Sequence, residues 1–351
     1  MSWVTDLARP EIVALKAYEH ASWEPTLERL HANELPWRFL DDDSLAGLNR
    51  YPEPQPRALL ERLAALYEVA PERVLVGRGG DEAIDLLLRG FCRAGQDSII
   101  ICPPTFGMYG VAARIQGAQV LSVPLRADAG FALDTQAVLD RCTADVKLIF
   151  LCSPNNPTAN LLSDDAIIGL ARAVQGRAIV VVDEAYIEFS AARSLAGRIP
   201  ELPHLAILRT LSKAHALAGA RCGTLIADPE VINLLRKVIP PYAIAQPSLE
   251  AVLKALEPAQ QVAATERVAL IRRERDRVLA TLPTFANITR VWPSAANFIL
   301  VEFQDPALAL TRTRGARLLI RDVRGYPGLG RCLRLTIGSP EQNNRLLDAL
   351  R

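Results

Sequence analysis

AIVVVDEAYIEFSAARSLAGRIPELPHLAILRTLSKAHALAGARCG (178–223) holds two continuous apolar runs, Ala178–Val182 and Leu205–Leu208, and reaches a third, Gly223–Ile226. None of them alternates with polar residues, which is the pattern of strands covered on both faces. Outward from this stretch the same pattern recurs at Arg73–Val76, Ser98–Ile101, Val120–Val123 and Lys147–Leu151. Helical patterns lie between most of these runs, at Pro56–Val69, Asp81–Phe91 and Asp164–Val174. Ser163 is a candidate cap for the last, with Asp164 and Asp165 at its positive end. Strand and helix in alternation predict an α/β fold with a mostly parallel central sheet flanked by helices.

After about residue 228 the pattern changes. Asp228-Pro229-Glu230 predicts a helix start, with Pro240-Pro241 as its stop. A charged helix is expected around Thr265–Leu282, strands at Asn297–Val301 and Cys332–Ile337, and a capping box at Ser339-Pro340-Glu341-Gln342. The expected organisation is therefore an N-terminal arm (1–44) packing with the small domain, a large α/β domain (45–248) and a small α+β domain (249–351).

Composition narrows the function classes. The 351 residues carry a formal net charge of +1, which speaks against nucleic-acid binding. The six cysteines are scattered with no CxxC pair, and the four histidines show no ligand spacing, so neither a disulfide framework nor a metal site is expected. The first twenty residues do not read as a signal peptide, and no apolar run approaches the roughly 20 residues of a membrane helix. A cytoplasmic protein with small-molecule partners is the expectation. Only five of the 40 basic residues are lysine, at 16, 147, 213, 237 and 254.

Ligands of open α/β sheets sit beyond the carboxyl ends of the strands. Gly77-Arg78-Gly79-Gly80-Asp81-Glu82 follows the first run and reads either as an anion-binding helix start or as an ordinary tight turn. Cys152-Ser153-Pro154-Asn155-Asn156-Pro157 reads as a rigid loop with amide donors or a plain turn. Asp183 ends an apolar strand and calls for a cation or strong donors, either a ligand's or the protein's own. Arg209-Thr210-Leu211-Ser212-Lys213 adds two hydroxyls and a lysine, with Arg221 eight residues on.

In this order the elements resemble the fold-type I enzymes dependent on pyridoxal 5′-phosphate (PLP), and more narrowly the histidinol-phosphate aminotransferases. The matching stretches are NRYPEPQP (49–56), VGRGGDE (76–82), CPPTFGMY (102–109), CSPNNPT (152–158), VVDEAYIEF (181–189), RTLSKAHALAGARCG (209–223) and CLRLTIGS (332–339). The resemblance implies that Lys213 bonds the cofactor and shuttles a proton, that Asp183 pairs with the pyridine nitrogen, and that Tyr186 and Asn156 bond its phenolate oxygen. Tyr109 is implied to stack on the ring. Gly80, Asp81, Thr210, Ser212 and Arg221 are implied to hold the phosphate, and Tyr51 to reach the cofactor of the other subunit in a homodimer. Arg334 is implied to bind substrate, joined by Arg321, Tyr18 and Asn33. The implied reaction moves the amino group of L-histidinol phosphate to 2-oxoglutarate, giving imidazole-acetol phosphate and glutamate. Aromatic amino-acid transamination and phospho-amino-acid decarboxylation are the alternatives within the fold, and a non-catalytic α/β binding protein is the alternative outside it. The sequence departs from the family pattern at Ala159, where glycine is usual, and at His31, Gly80 and His215.

Overall fold

The computed structural model describes residues 3–19, 21–24 and 26–351. The seven apolar runs form one sheet: β1 Val74–Gly77, β2 Ser98–Ile101, β3 Gln119–Ser122, β4 Val146–Cys152, β5 Ile179–Asp183, β6 Leu205–Thr210 and β7 Gly223–Ile226. Their spatial order is β1-β7-β6-β5-β4-β2-β3. All neighbours are parallel except β7, which is antiparallel to both β1 and β6.

The lack of alternation in these strands has the expected cause. In β5, Val180 and Val182 join one apolar layer while Ile179 and Val181 join the layer on the opposite face. Ile149 and Phe150 in β4, and Ile207 and Leu208 in β6, divide the same way. Each fully buried side chain of this kind stabilises the fold by roughly 1.5–3 kcal/mol. Helices Arg57–Leu66, Gly80–Phe91 and Asp164–Ala173 cover the sheet. Ser163 caps the last, accepting from the Ala166 N–H.

A second, antiparallel sheet has the order β10-β11-β9-β8. It comprises β8 Ile288–Val291, β9 Phe298–Phe303, β10 Arg321–Asp322 and β11 Cys332–Thr336. The long helix begins at Pro258, a turn and more before the expected start, because Pro258 occupies its first position. The helix opened by Asp228 ends at Leu235, well short of the two prolines. The capping box at Ser339 and Gln342 is present.

The arm corrects one expectation. Its first residues pack on the large sheet's helices rather than on the small domain. Val4, Leu7 and Ala8 join the apolar layer of Leu87, Ile232 and Leu235. The Arg9 N–H donates to the Gly90 carbonyl, and Lys237 Nζ donates to the Val13 carbonyl. Short apolar spacing alone gave no indication of which domain would receive it. Among the described residues, 15–56 contain no helix or strand.

Candidate active site

A cavity opens where β4, β5 and β6 end. Asn156, Asp183, Tyr186, Thr210, Lys213 and Arg221 are among its walls. Asp183 is the last residue of β5 and is held in register with Leu208. Its Oδ2 accepts from the Tyr109 hydroxyl at 2.7 Å and its Oδ1 from the Ala185 N–H at 3.0 Å. Burial pushes its carboxyl above the usual range, opposed by those two donors and by the Lys213 charge. Among the described residues it forms no ion pair within 4.0 Å. A buried carboxylate facing a cavity without a cation beside it fits a cationic ligand.

Lys213 follows β6 in a loop of turns and stays open to solvent on one side. Its Nζ lies 5.7 Å from the centre of the Tyr186 ring. The enclosing walls first, then the positive charges of Arg334 and Arg221, push its amine below the ordinary lysine value. Asp183 and Asp81 pull the other way. The Tyr186 ring meets Phe298 edge-on at 5.0 Å, and burial pushes its hydroxyl up.

The far end of the cavity is a cluster of donors. Gly79 has φ +92°, and a Cβ there would stand 2.8 Å from Arg221 Nη2. A Cβ on Gly223 would stand 2.3 Å from the Gly79 carbonyl carbon, so both glycines permit β7 and the loop after β1 to close on each other. Arg221 adopts the left-handed region (φ 53°) and points at the helix start, with Nη2 3.5 Å from Asp81 Oδ2. The helix opens at Gly80, where its first N–H groups lack intrahelical acceptors. Thr210 Oγ1 and Ser212 Oγ lie 3.0 Å apart beside it. Hydroxyls, a guanidinium and a helix N-terminus together suit a phosphate dianion. Nothing lies within 4 Å of the Cβ position of Gly80, so an alanine would fit there equally well.

On the opposite side, Arg334 Nη1 donates to Asn156 Oδ1, and the guanidinium lies over Phe298 with Cζ 5.0 Å from the ring centre. Its Nε is buried with no hydrogen-bond partner among the described residues. Arg321 is its direct cross-strand partner. Directly opposed residues share a sheet face, and the Arg321 charge is felt at Arg334. Burial and Arg321 lower the Arg334 pKa, yet an arginine stays charged.

Other expected residues lie elsewhere. Tyr109 does not line the cavity and so is not placed to stack on a ring there. It is fully buried behind Asp183, flat against Phe150 at 4.9 Å, and Phe106 stands in the cavity wall instead. The helix beginning at Met108 turns Tyr109 inward and leaves Phe106 ahead of it. Tyr51, Tyr18 and Asn33 do not reach this cavity within one chain. Tyr51 is half exposed and stacks on Tyr242 at 4.4 Å. Tyr18 lines a separate groove with Trp23 and Lys237, and Asn33 is exposed in the arm. Asn155, neighbour of Asn156, instead locks the loop: it donates to the Pro104 carbonyl at 2.8 Å and accepts from Thr105 Oγ1 at 2.9 Å. The departure at Ala159 has a backbone reason, since φ there is +64°, where glycine is the unstrained residue. His31 is exposed with Nε2 2.9 Å from the Ser22 carbonyl, and His215 lies near Glu188 and Arg209, with burial pushing its pKa down.

These walls fit PLP. The buried carboxylate suits a protonated pyridine nitrogen, the donor cup suits the phosphate, and Lys213 stands beside both. Among the described residues there is no metal-binding cluster and no helix long and apolar enough to cross a membrane.

Comparison with known proteins agrees. The chain is 46% identical over 99% of its length to histidinol-phosphate aminotransferase of Stenotrophomonas maltophilia, covering 96% of that protein. It is 44% identical over 99% of its length to the enzyme of the same name from Shigella flexneri serotype 5b, covering 98% of that protein. The solved histidinol-phosphate aminotransferase from Clostridium acetobutylicum shares the fold, with a TM-score of 0.78 at 24% identity over 86% of this chain and 90% of that one. The profile of aminotransferase class I and II matches residues 31–350. The chain belongs to the class I and II aminotransferase family.

Proposed function

We propose that this aminotransferase uses PLP to move the amino group of L-histidinol phosphate to 2-oxoglutarate, giving imidazole-acetol phosphate and glutamate. The observation that carries the reading is a cavity walled by Lys213, Asp183 and Arg221, with Arg334 bonded to its wall residue Asn156 and paired across the strands with Arg321. The relatives described above supply the substrate's name. When bound, PLP supplies an electron sink that accepts the charge left on a substrate carbon after its proton is removed. The chain's own groups do the rest. Lys213 Nζ, kept below its ordinary pKa, would take the proton from the substrate carbon and return it to the cofactor carbon on the other side of the amino nitrogen. Asp183 holds a positive charge on the ring nitrogen. Tyr186 and Asn156 bond the ring oxygen, and Gly80, Asp81, Thr210, Ser212 and Arg221 hold the phosphate. In this reading residues 45–248 hold the cofactor and 249–351 bring Arg334 and Arg321 to close the mouth.

Arg334 and Arg321 bind the anionic end of the substrate: the phosphate of the donor and a carboxylate of the acceptor. A hydrogen bond to a charged group contributes about 1.5–3 kcal/mol, so Arg334→Gln is expected to raise KM for both substrates by about 10–100-fold. Steady-state kinetics with each substrate varied in turn checks it, and an unchanged KM removes Arg334 from the substrate site.

A second copy of the chain completes the site. The arm carries Trp37, Leu40 and Leu45 at 77%, 89% and 85% exposure, a set of apolar side chains uncovered within one chain. Packed against a partner, this arm would carry Tyr51 to the partner's cofactor phosphate, with Tyr18 and Asn33 near the substrate. Sedimentation is expected to give a dimer, and Leu40→Asp with Leu45→Asp to give monomers lacking activity. A monomeric wild-type protein with full turnover overturns this arrangement. Six unpaired, buried cysteines fit a reducing compartment, and we place the enzyme in the cytoplasm.

The test of substrate is the donor half-reaction. PLP-loaded protein is mixed separately with L-histidinol phosphate and L-phenylalanine while visible absorbance is followed. Histidinol phosphate is expected to change the spectrum far faster. An equal response to phenylalanine overturns the substrate assignment, and carbon dioxide release from a phospho-amino acid overturns the reaction assignment.

A further inference from the structure

Arg209 is the penultimate residue of β6, four residues before Lys213 in the loop of turns that follows. It is 8% exposed, and several elements converge on its guanidinium. Nη2 donates to Glu188 Oε1 at 2.7 Å, and Nη1 stands 3.6 Å from Glu184 Oε2. Cζ lies 4.5 Å from the centre of the Tyr67 ring, and His215 lies on the same side as Glu188. Glu184, 2% exposed, accepts from Ser194 Oγ at 2.5 Å and from the Leu195 N–H at 2.8 Å. Glu184 and Glu188 belong to the segment that also carries Asp183 and Tyr186. The guanidinium thus ties the end of β6, from which the Lys213 loop continues, to the segment after β5, and Arg209 itself forms part of the cavity wall.

Stability does not account for this cluster. Two carboxylates share one guanidinium out of water, and burial pushes Glu184 up to about 7. Replacing such buried ionic groups by packed apolar ones is often neutral or stabilising. What a planar guanidinium held between Glu188 and the Tyr67 ring supplies is a fixed geometry.

We propose that Arg209 is a positioning residue: by tying the Glu184–Glu188 segment to the Lys213 loop, it fixes where the lysine amine stands relative to Asp183 and Tyr186. The inference rests on the assignment of Lys213 and Asp183 given above. A displacement of about 1 Å at a reacting group can cost on the order of 100-fold in rate. Arg209 touches neither anion site, so the loss belongs in kcat rather than in KM.

The test uses PLP-loaded R209M, R209K and E188Q beside wild type, with kcat, KM for histidinol phosphate, the pH midpoint of the bound cofactor's visible absorbance, and the melting temperature. R209M is expected to bind PLP, to lose about 100-fold in kcat with KM within about threefold of wild type, and to shift the absorbance midpoint. R209K is expected to recover part of both, since an ammonium replaces the charge but not the fork. Should R209M fail to fold, R209K and E188Q carry the test by the same readouts. A variant set with wild-type kcat and wild-type absorbance midpoint overturns the positioning role alone, as does a set that only melts earlier. Wild-type protein that shows no visible cofactor band overturns the role together with the PLP reading.

Discussion

Lys213→Ala is expected to abolish amino transfer, with kcat falling by about 10⁴-fold or more, the upper end of what a positioned acid–base group contributes. The argument starts from what alanine leaves intact. The donor cup of Gly80, Asp81, Thr210, Ser212 and Arg221 does not depend on Lys213, nor does the Asp183 carboxylate held by Tyr109 and Ala185. PLP should therefore still bind, and dialysis against free cofactor should show it. The spectrum is expected to be that of a free aldehyde, lacking the band of lysine-bound cofactor. Lys213→Arg should rescue neither band nor turnover, because a guanidinium cannot release its proton to become a base. The pH dependence has a definite sign. The amine acts only when neutral, and its pKa is pushed below the ordinary value of about 10.4, so wild-type turnover should rise with pH through that lowered value. Single-turnover rates across pH check this. A Lys213→Ala enzyme that keeps its turnover removes the lysine from the chemistry.

Much of this site could be read from residue order because the sheet is doubly covered. Strands buried on both faces leave unbroken apolar runs, and the polar residue that ends each run sits at a strand terminus. That places Asp183 after β5 and Lys213 after β6 without any contact information. The edges of the small sheet carry no such signal. β10 is two exposed residues, and β8 has its two middle positions in water and only half-buried ends. Tyr109 and Phe106 show a second limit. Both are aromatic and three residues apart, and only the helix starting at Met108 decides which ring faces the cavity. Glu184 and Arg209 carry no signal in the sequence for a related reason. Each looks like an ordinary charge beside a functional neighbour, and their pairing depends on the parallel register of β5 with β6. The arm is least legible, since Trp37, Leu40 and Leu45 are left exposed within one chain.

Asp183→Asn is expected to separate stability from function in opposite directions. The replacement keeps size and shape: an amide oxygen can still accept from the Ala185 N–H, and its nitrogen can donate to the Tyr109 oxygen. What is lost is the charge that holds a proton on the ring nitrogen. Removing one preorganised electrostatic partner costs about 10²–10³-fold in kcat, and that loss is expected here with KM little changed. In the cofactor-free protein the sign reverses. Burial raises the Asp183 pKa in the folded chain above its unfolded value of about 3.9, so the folded state holds the proton more tightly. That stabilisation is complete below the unfolded value and is lost as pH rises through the folded one. Above the unfolded value the buried carboxyl is therefore a cost that asparagine removes, and apo Asp183→Asn should melt at or above the wild-type temperature. Adding PLP should then raise the melting temperature of wild type more than that of the variant, because only wild type offers a carboxylate to the ring nitrogen. Melting curves with and without PLP at neutral pH decide it. An equal gain in both proteins means that Asp183 does not pair with the cofactor, whatever happens to kcat.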